Sequence, residues 1–173
     1  DYDRLGHLIK CNPSIKTAAD QQALLAAVNS GVIDIIATDH APHLPSDKEG
    51  GALKAASGMP MIQFSLVSML NLVDEGVFTI EKVVEKMCHA PATIYSINNR
   101  GYIRQGYQAD LVLVRPKSDW ELTREQILSK CQWSPLEGTT FHWAVQNTFV
   151  NGHPVYSQGQ IDETYRGQRL SFR

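Results

Sequence analysis

The fold of this chain turns on Val32-Ile33-Asp34-Ile35-Ile36-Ala37-Thr38-Asp39-His40-Ala41-Pro42-His43. Residues 32–37 form a nearly unbroken apolar run. Such a run predicts a short strand buried on both faces, as in parallel sheets. A carboxylate and two imidazoles then arrive together at its C-terminal end. In barrels of parallel strands and helices, that end carries the chemistry. Pro42 keeps the tract off a helix, so Asp-His-x-x-His is not a helix-borne zinc spacing. Asp39 is the leading candidate, because a carboxylate there can bind a cation and accept a proton. His43, farther along the loop, suits an anionic substrate group. His40 reads as support for a metal shell or as packing.

The sequence before this tract predicts how it is held. Leu8 to Cys11 reads as another short strand, and Asn12 at its end would face the same cavity. An Asn-Pro turn is the alternative for Asn12. A helix follows, with Thr17 as N-cap and Asp20 completing a capping box. Ala23, Leu24, Ala27 and Val28 form its apolar stripe, and Gly31 ends it. Strand, helix, strand is a βαβ unit with a right-handed crossover. Two such strands leave open edges and are not a finished sheet. The expectation is therefore a C-terminal piece of a longer protein, with missing strands on the N-terminal side.

Composition narrows the function classes. The net charge of -2 over 173 residues gives no reason to expect nucleic acid or an anionic membrane as partner. No apolar run approaches the ~18 residues that span a bilayer. Cys11, Cys88 and Cys131 are odd in number and form no CxxC pair, which favours reduced thiols in a cytoplasmic protein. Cys11 reads as a small buried hydrophobe rather than a ligand. Lys16 reads as a solvated charge at the helix entry. His7, His89, His142 and His153 stand alone and read as structural. No Gly-x-Ser-x-Gly elbow and no phosphate-cradling glycine loop is present.

Beyond the tract, Leu44 to Ser57 is polar and glycine-bearing, either a functional lid or a surface excursion. Met61 to Glu75 predicts a deeply packed helix stopped at Gly76. A second helix runs from the Thr79 cap to about His89, ended by Pro91, and Ala92 to Ile97 forms a further short one. Composition changes at Asn98-Asn99-Arg100-Gly101. Ala109 to Val114 then reads as a strand, and Trp143–Val150 with Pro154–Tyr156 as a hairpin around Asn151-Gly152. The polar tail from Gln158 should wrap the surface. The domains are drawn at 1–98 and 99–173.

Ile35-Ile36-Ala37-Thr38-Asp39-His40-Ala41-Pro42-His43 resembles the signature of dihydroorotases in the amidohydrolase superfamily. Lys10-Cys11-Asn12-Pro13-Ser14-Ile15-Lys16 resembles that family's Lys-x-Asn-Pro segment. Ser57-Gly58-Met59-Pro60 and Ser134-Pro135-Leu136-Glu137-Gly138 fit it too. Gly101-Tyr102-Ile103 through Gly106, Ala109 to Val114 and Thr148-Phe149-Val150-Asn151-Gly152 resemble the superfamily's C-terminal β domain. The resemblance implies the α/β class: the last strands and helices of a (β/α)8 barrel, then part of a composite β-sandwich. It implies one or two zinc ions, with most ligands upstream of this chain. The implied reaction is reversible hydrolysis of dihydroorotate to N-carbamoyl-L-aspartate in pyrimidine biosynthesis.

Carried over position by position, Asp39 is a metal ligand and the proton-transferring catalytic residue. Asn12 and His43 contact substrate, His43 near its carboxylate, and the backbone of Ser57 and Gly58 closes over it. A homodimer is expected, with the N-terminal part of the same enzyme completing the site, so that the isolated segment is inactive. Lys16 stands where many relatives carry Arg, and Ser14 where many carry Pro, which leaves the role of Lys16 open. The alternatives are a dihydropyrimidinase or allantoinase, or a non-catalytic amidohydrolase-like scaffold.

Overall fold

A computed structural model describes residues 1–173. The first half is helical and the second half carries the sheet. Helix α1 (Tyr2–Leu5) and a 3-10 turn (Gly6–Ile9) open the chain. The expected strand from Leu8 to Cys11 is thus absent, and Ile9 is buried within the turn. A strand needs a ladder neighbour for its backbone groups. Here the Lys10 carbonyl is taken instead by the Gly58 N–H and the Lys48 ammonium.

Helix α2 (Ala18–Ser30) begins with the expected capping box. Asp20 N–H donates to Thr17 Oγ1 at 3.3 Å, and Thr17 N–H donates to Asp20 Oδ2 at 2.9 Å. Gly31 ends the helix at φ 85°, a conformation that costs glycine little. The packed face differs from the predicted stripe. Leu25 and Val28 join the core, whereas Leu24 is exposed.

Residues 32–37 are extended but belong to no sheet. Nearby, the one strand-like pairing is an isolated parallel bridge between His40 and Met59. The Ile33 N–H bonds the Ala27 carbonyl and the Ile36 N–H bonds that of Lys86. Ile33 and Ile36 pack against a core of Val28, Phe78 and Val83. Val32 is 77% exposed and Ile33, Ile35 and Ile36 are half-buried, so the run is not enclosed on both faces as expected. The βαβ reading is corrected accordingly: helix and extended segment are present, but no second strand lies beside them to form the ladder.

The polar stretch after His43 is not featureless. It folds into a 3-10 turn (Pro45–Lys48) and helix α3 (Gly51–Lys54). A further 3-10 turn (Ile62–Phe64) leads into α4 (Ser65–Asp74), which buries Val67 and Leu70. Helix α5 (Ile80–Val84) is capped by Thr79, whose hydroxyl accepts from the Lys82 N–H at 3.1 Å. A π turn (Glu85–His89) carries it directly into α6 (Ala90–Ile94). Pro91 therefore does not break the helix. Proline lacks an N–H and clashes with the carbonyl four residues back, and a widened π turn accommodates both defects.

Four antiparallel strands follow in sequential order: β1 (Leu111–Glu121), β2 (Thr140–Val150), β3 (His153–Ser157) and β4 (Gln160–Ile161). β2 and β3 form the expected hairpin, with Val150 opposite His153. Asn151 and Gly152 have φ of 50° and 83°, the paired positive values of a type I′ turn. β1 runs to Glu121, past the expected end, and tolerates Pro116 because it is an edge strand. The tail returns to the helical half, where the Asn98 N–H bonds the Ser171 carbonyl and Ile97 bridges Phe172. No helix is long and apolar enough to cross a membrane.

The largest buried cluster joins the two halves across the boundary drawn at 98/99. Phe64 and Val67 pack with Leu122, Ile127 and Phe141. Side chains of α4 also fasten β2. Asn71 donates to the Thr140 carbonyl and accepts from the His142 N–H, and the Trp143 indole donates to Asp74 at 2.8 Å. Phe141 is 1% exposed and stacks on Phe64 at 6.1 Å. Phe141→Ala should lower unfolding stability by about 3–5 kcal/mol. Urea denaturation followed by tryptophan fluorescence measures this, and a change under about 1 kcal/mol would contradict the shared core.

Candidate active site

Asp39 ends the extended segment in a left-handed conformation, with φ 44°. Only a few per cent of non-glycine residues adopt it, and aspartate is among those enriched there. Its carboxylate is exposed and makes no hydrogen bond or ion pair. Strain of this kind is held where surrounding structure imposes it, often at functional sites.

The imposing contacts come from the next residues. His40 Nδ1 accepts the backbone N–H groups of Met61 and Ile62 at 3.1 and 3.2 Å. That nitrogen is therefore unprotonated, and His40 is a structural tie. The Ala41 N–H bonds the Met59 carbonyl at 2.9 Å, which pins the loop against the Gly58-Met59-Pro60 segment.

His43 meets the Ser57–Gly58 turn. Its Nε2 lies 3.0 Å from the Ser57 carbonyl, an acceptor only, so Nε2 carries the proton and donates. Nδ1 has no partner within the chain. The His43 carbonyl accepts the Trp133 indole N–H at 2.8 Å. Gly58 is at φ +124°, and a Cβ there would lie 2.4 Å from that of Ala41 and 3.5 Å from His43 Nε2. Only glycine lets the turn close on the histidine loop.

Lys48 is the residue that sequence reasoning missed. It has no accessible surface, while Pro45, Ser46 and Asp47 beside it are exposed. Its Nζ donates to the carbonyls of Ala56 at 2.7 Å, Gly58 at 2.8 Å and Lys10 at 3.1 Å. Burial pushes the ammonium down from the ordinary lysine range. Trp133, also missed, places its ring centroid 5.8 Å from Nζ. A lysine within a polar, glycine-bearing tract carries no signal of burial in its spacing.

The expected constellation is therefore assembled in part. His43, Ser57 and Gly58 are brought together, and the Gly58–Lys10 hydrogen bond draws in the segment bearing Asn12. The Asn12 and Asp39 side chains are exposed and bonded to none of the others. Lys16 hydrogen-bonds Ser14, and Cys11 Sγ contacts the Pro13 carbonyl at 3.3 Å, both local turn contacts. His89 stacks on Tyr102, while His142 and His153 pair with Asp119 and Asp162. No group of three or more His, Cys, Asp or Glu side chains is placed to hold a metal ion. Asp39 offers the one unbonded carboxylate of the Asp39–His43 tract, and His43 Nδ1 is unbonded beside it in sequence.

Comparison with known proteins identifies the family. The amidohydrolase family pattern matches residues 8–155, and the chain belongs to that family. It is 35% identical over 170 residues to a dihydroorotase of Pyrococcus horikoshii, covering 98% of this chain and 39% of that protein. It is 38% identical over 149 residues to a dihydroorotase of Geobacter metallireducens, covering 86% of this chain and 35% of that one. The chain thus spans under two fifths of the length of these curated relatives. An L-hydantoinase (dihydropyrimidinase) from Arthrobacter aurescens superposes with a TM-score of 0.86 at 31% identity, over 92% of this chain and 37% of that one. A D-hydantoinase from Thermus sp. superposes at 0.85 with 20% identity, over 90% and 35%, and shares the fold.

The Gly58 contact yields a paired prediction. Gly76 is also left-handed, at φ +74°, but a Cβ there meets nothing within 4 Å. Gly76→Ala should cost about 1–2 kcal/mol from backbone strain alone. Gly58→Ala should cost clearly more, because Ala41 must also move. Equal shifts in the urea midpoint would contradict the close approach.

Proposed function

We propose that this chain is the C-terminal portion of a cytoplasmic dihydroorotase, hydrolysing the ring amide of dihydroorotate reversibly to N-carbamoyl-L-aspartate. The extended segment ending at Asp39 is read as a late strand of a (β/α)8 barrel, with residues 99–173 contributing to a composite β-sandwich. Upstream strands of the same enzyme would complete the barrel, and a homodimer is the expected assembly. His43 carries this reading. Its ring is held by the Ser57 carbonyl with Nδ1 unbonded, at the end of the fold where Asp39 presents a free carboxylate.

With Ser57 accepting from Nε2, donation to a substrate carboxylate from Nδ1 requires the imidazolium form. Such a donor would suit the carboxylate of dihydroorotate, which an uncharged ring lacks. The backbone of Ser57 and Gly58 closes the other side, and Asn12, able to donate and accept, addresses the ring amide. Asp39 takes the proton of the attacking water and returns it to the ring nitrogen as the carbon–nitrogen bond breaks. Proton transfer by a placed carboxylate contributes about 10²–10⁴ in rate.

Zinc, as one or two ions, would be held by Asp39 together with residues outside this chain. When bound, zinc lowers the pKa of a coordinated water to about 7. One free carboxylate fits a single ligand of such a site and does not form the site alone. Likeness to the Arthrobacter L-hydantoinase favours a second reading, a dihydropyrimidinase-type cyclic amidohydrolase. In that case an uncharged ring would be preferred and His43 would matter little.

Two variants of the complete enzyme test these roles. Asp39→Asn should lower kcat for dihydroorotate by about 10²–10⁴ with the fold retained. Near-wild-type turnover would remove Asp39 from the mechanism. His43→Ala should weaken dihydroorotate binding by about 1.5–3 kcal/mol, the range for a hydrogen bond to a charged group. Unchanged affinity in calorimetric titration would count against the carboxylate clamp.

A further inference from the structure

Three backbone carbonyls, from Lys10, Ala56 and Gly58, converge on one point, and the Lys48 ammonium occupies it. An ammonium has three N–H donors, so this cage satisfies the charged group completely. Each carbonyl lies on, or within two residues of, a residue assigned to substrate. Lys10 is two residues before Asn12, and Ala56 and Gly58 flank Ser57. On a further side stands the Trp133 ring, whose N–H holds the His43 carbonyl. The ammonium is therefore the common neighbour of the Asn12 segment, the Ser57–Gly58 turn and the tryptophan that anchors the His43 loop.

We propose that Lys48 is the positioning residue of the carboxylate clamp, its ammonium serving as an internal cation that holds the Asn12, Ser57–Gly58 and His43 segments at one spacing. The proposal rests on the dihydroorotase reading above and extends it to a residue that touches no substrate. Lys48 acts through the clamp, which grips the substrate before and during reaction alike. Loss of such uniform binding raises KM and leaves kcat largely intact. A merely structural lysine would lower stability or active fraction without this split. The cage also has a chemical signature: with the side chain shortened, a small alkylammonium ion can enter and restore the three hydrogen bonds.

The test uses the complete enzyme with dihydroorotate. Lys48→Ala should raise KM by about tenfold and change kcat by less than about threefold. Added ethylammonium should bring KM back toward the wild-type value, and tetramethylammonium, which has no N–H, should not. Wild-type KM should respond to neither salt. Unchanged KM, a fall in kcat alone, or equal effects of the two salts would overturn the proposal. Should Lys48→Ala fail to fold, Lys48→Arg carries the same comparison. Its guanidinium keeps the charge, but its spread donors cannot converge on one point. Its KM should still rise by about threefold, and a wild-type KM would overturn the assignment. Wild-type turnover separates this outcome from failure of the substrate reading. If the wild-type enzyme hydrolyses dihydrouracil or hydantoin and not dihydroorotate, the substrate reading falls and the carboxylate clamp with it, whereas wild-type turnover of dihydroorotate with no Lys48 effect on KM overturns the Lys48 assignment alone.

Discussion

A lysine ammonium with no access to water must be matched within the protein. Moving an ion into a protein interior costs several kcal/mol unless good hydrogen bonds replace its hydration. Around Lys48 the replacement is complete, and it is made by carbonyls alone. Carbonyls belong to the backbone, so satisfying this one charge fixes the paths of three chain segments. The order of the polar stretch from Leu44 to Ser57 follows from it. That stretch has little apolar material to bury, yet it folds as two short turns around an internal cation. The His43–Ser57 hydrogen bond and the close approach of Gly58 to Ala41 are built on that arrangement.

The same frame explains why the sheet half matters to a site in the helical half. Trp133 lies between the 3-10 turn Arg124–Gln126 and β2, and its indole reaches back to the His43 carbonyl. Its loop is held in place by the shared core, where Phe64 and Val67 meet Leu122, Ile127 and Phe141. Gln63 adds a polar tie, donating to the Gln126 carbonyl and accepting from the Leu128 N–H. The histidine loop is thus tied to that core from two sides, by the Trp133 indole at His43 and by the Met61 and Ile62 N–H groups at His40. The two segments read from composition as separate domains are coupled mechanically at the site.

Local chemistry was legible in the sequence wherever it is self-contained. The Thr17–Asp20 capping box, Gly31 at the helix end and the Asn151-Gly152 hairpin each depend on neighbours within a few residues, and each forms as expected. The Asp39–His43 motif and the Ser57-Gly58 segment were read from family resemblance, and the hydrogen bond from His43 to the Ser57 carbonyl brings the two stretches together. What could not be read depends on distant partners. The run from Val32 to Ala37 has strand composition, but a ladder needs a neighbouring strand, and here its amides bond to helices instead. Pro91 carries the usual stop signal, and a π turn absorbs it. Lys48 has the composition of a solvated charge, and its burial comes from carbonyls up to 38 residues away.

The proposed carboxylate clamp makes a specific demand on substrate choice, and its test is a direct comparison of substrates. Kd values for dihydroorotate and dihydrouracil, which differ by one carboxylate, are measured on the complete enzyme by calorimetry. The account predicts dihydroorotate bound more tightly by about 10- to 100-fold, the value of a charge-assisted hydrogen bond to a buried anion. Equal affinities, or tighter binding of dihydrouracil, would contradict it.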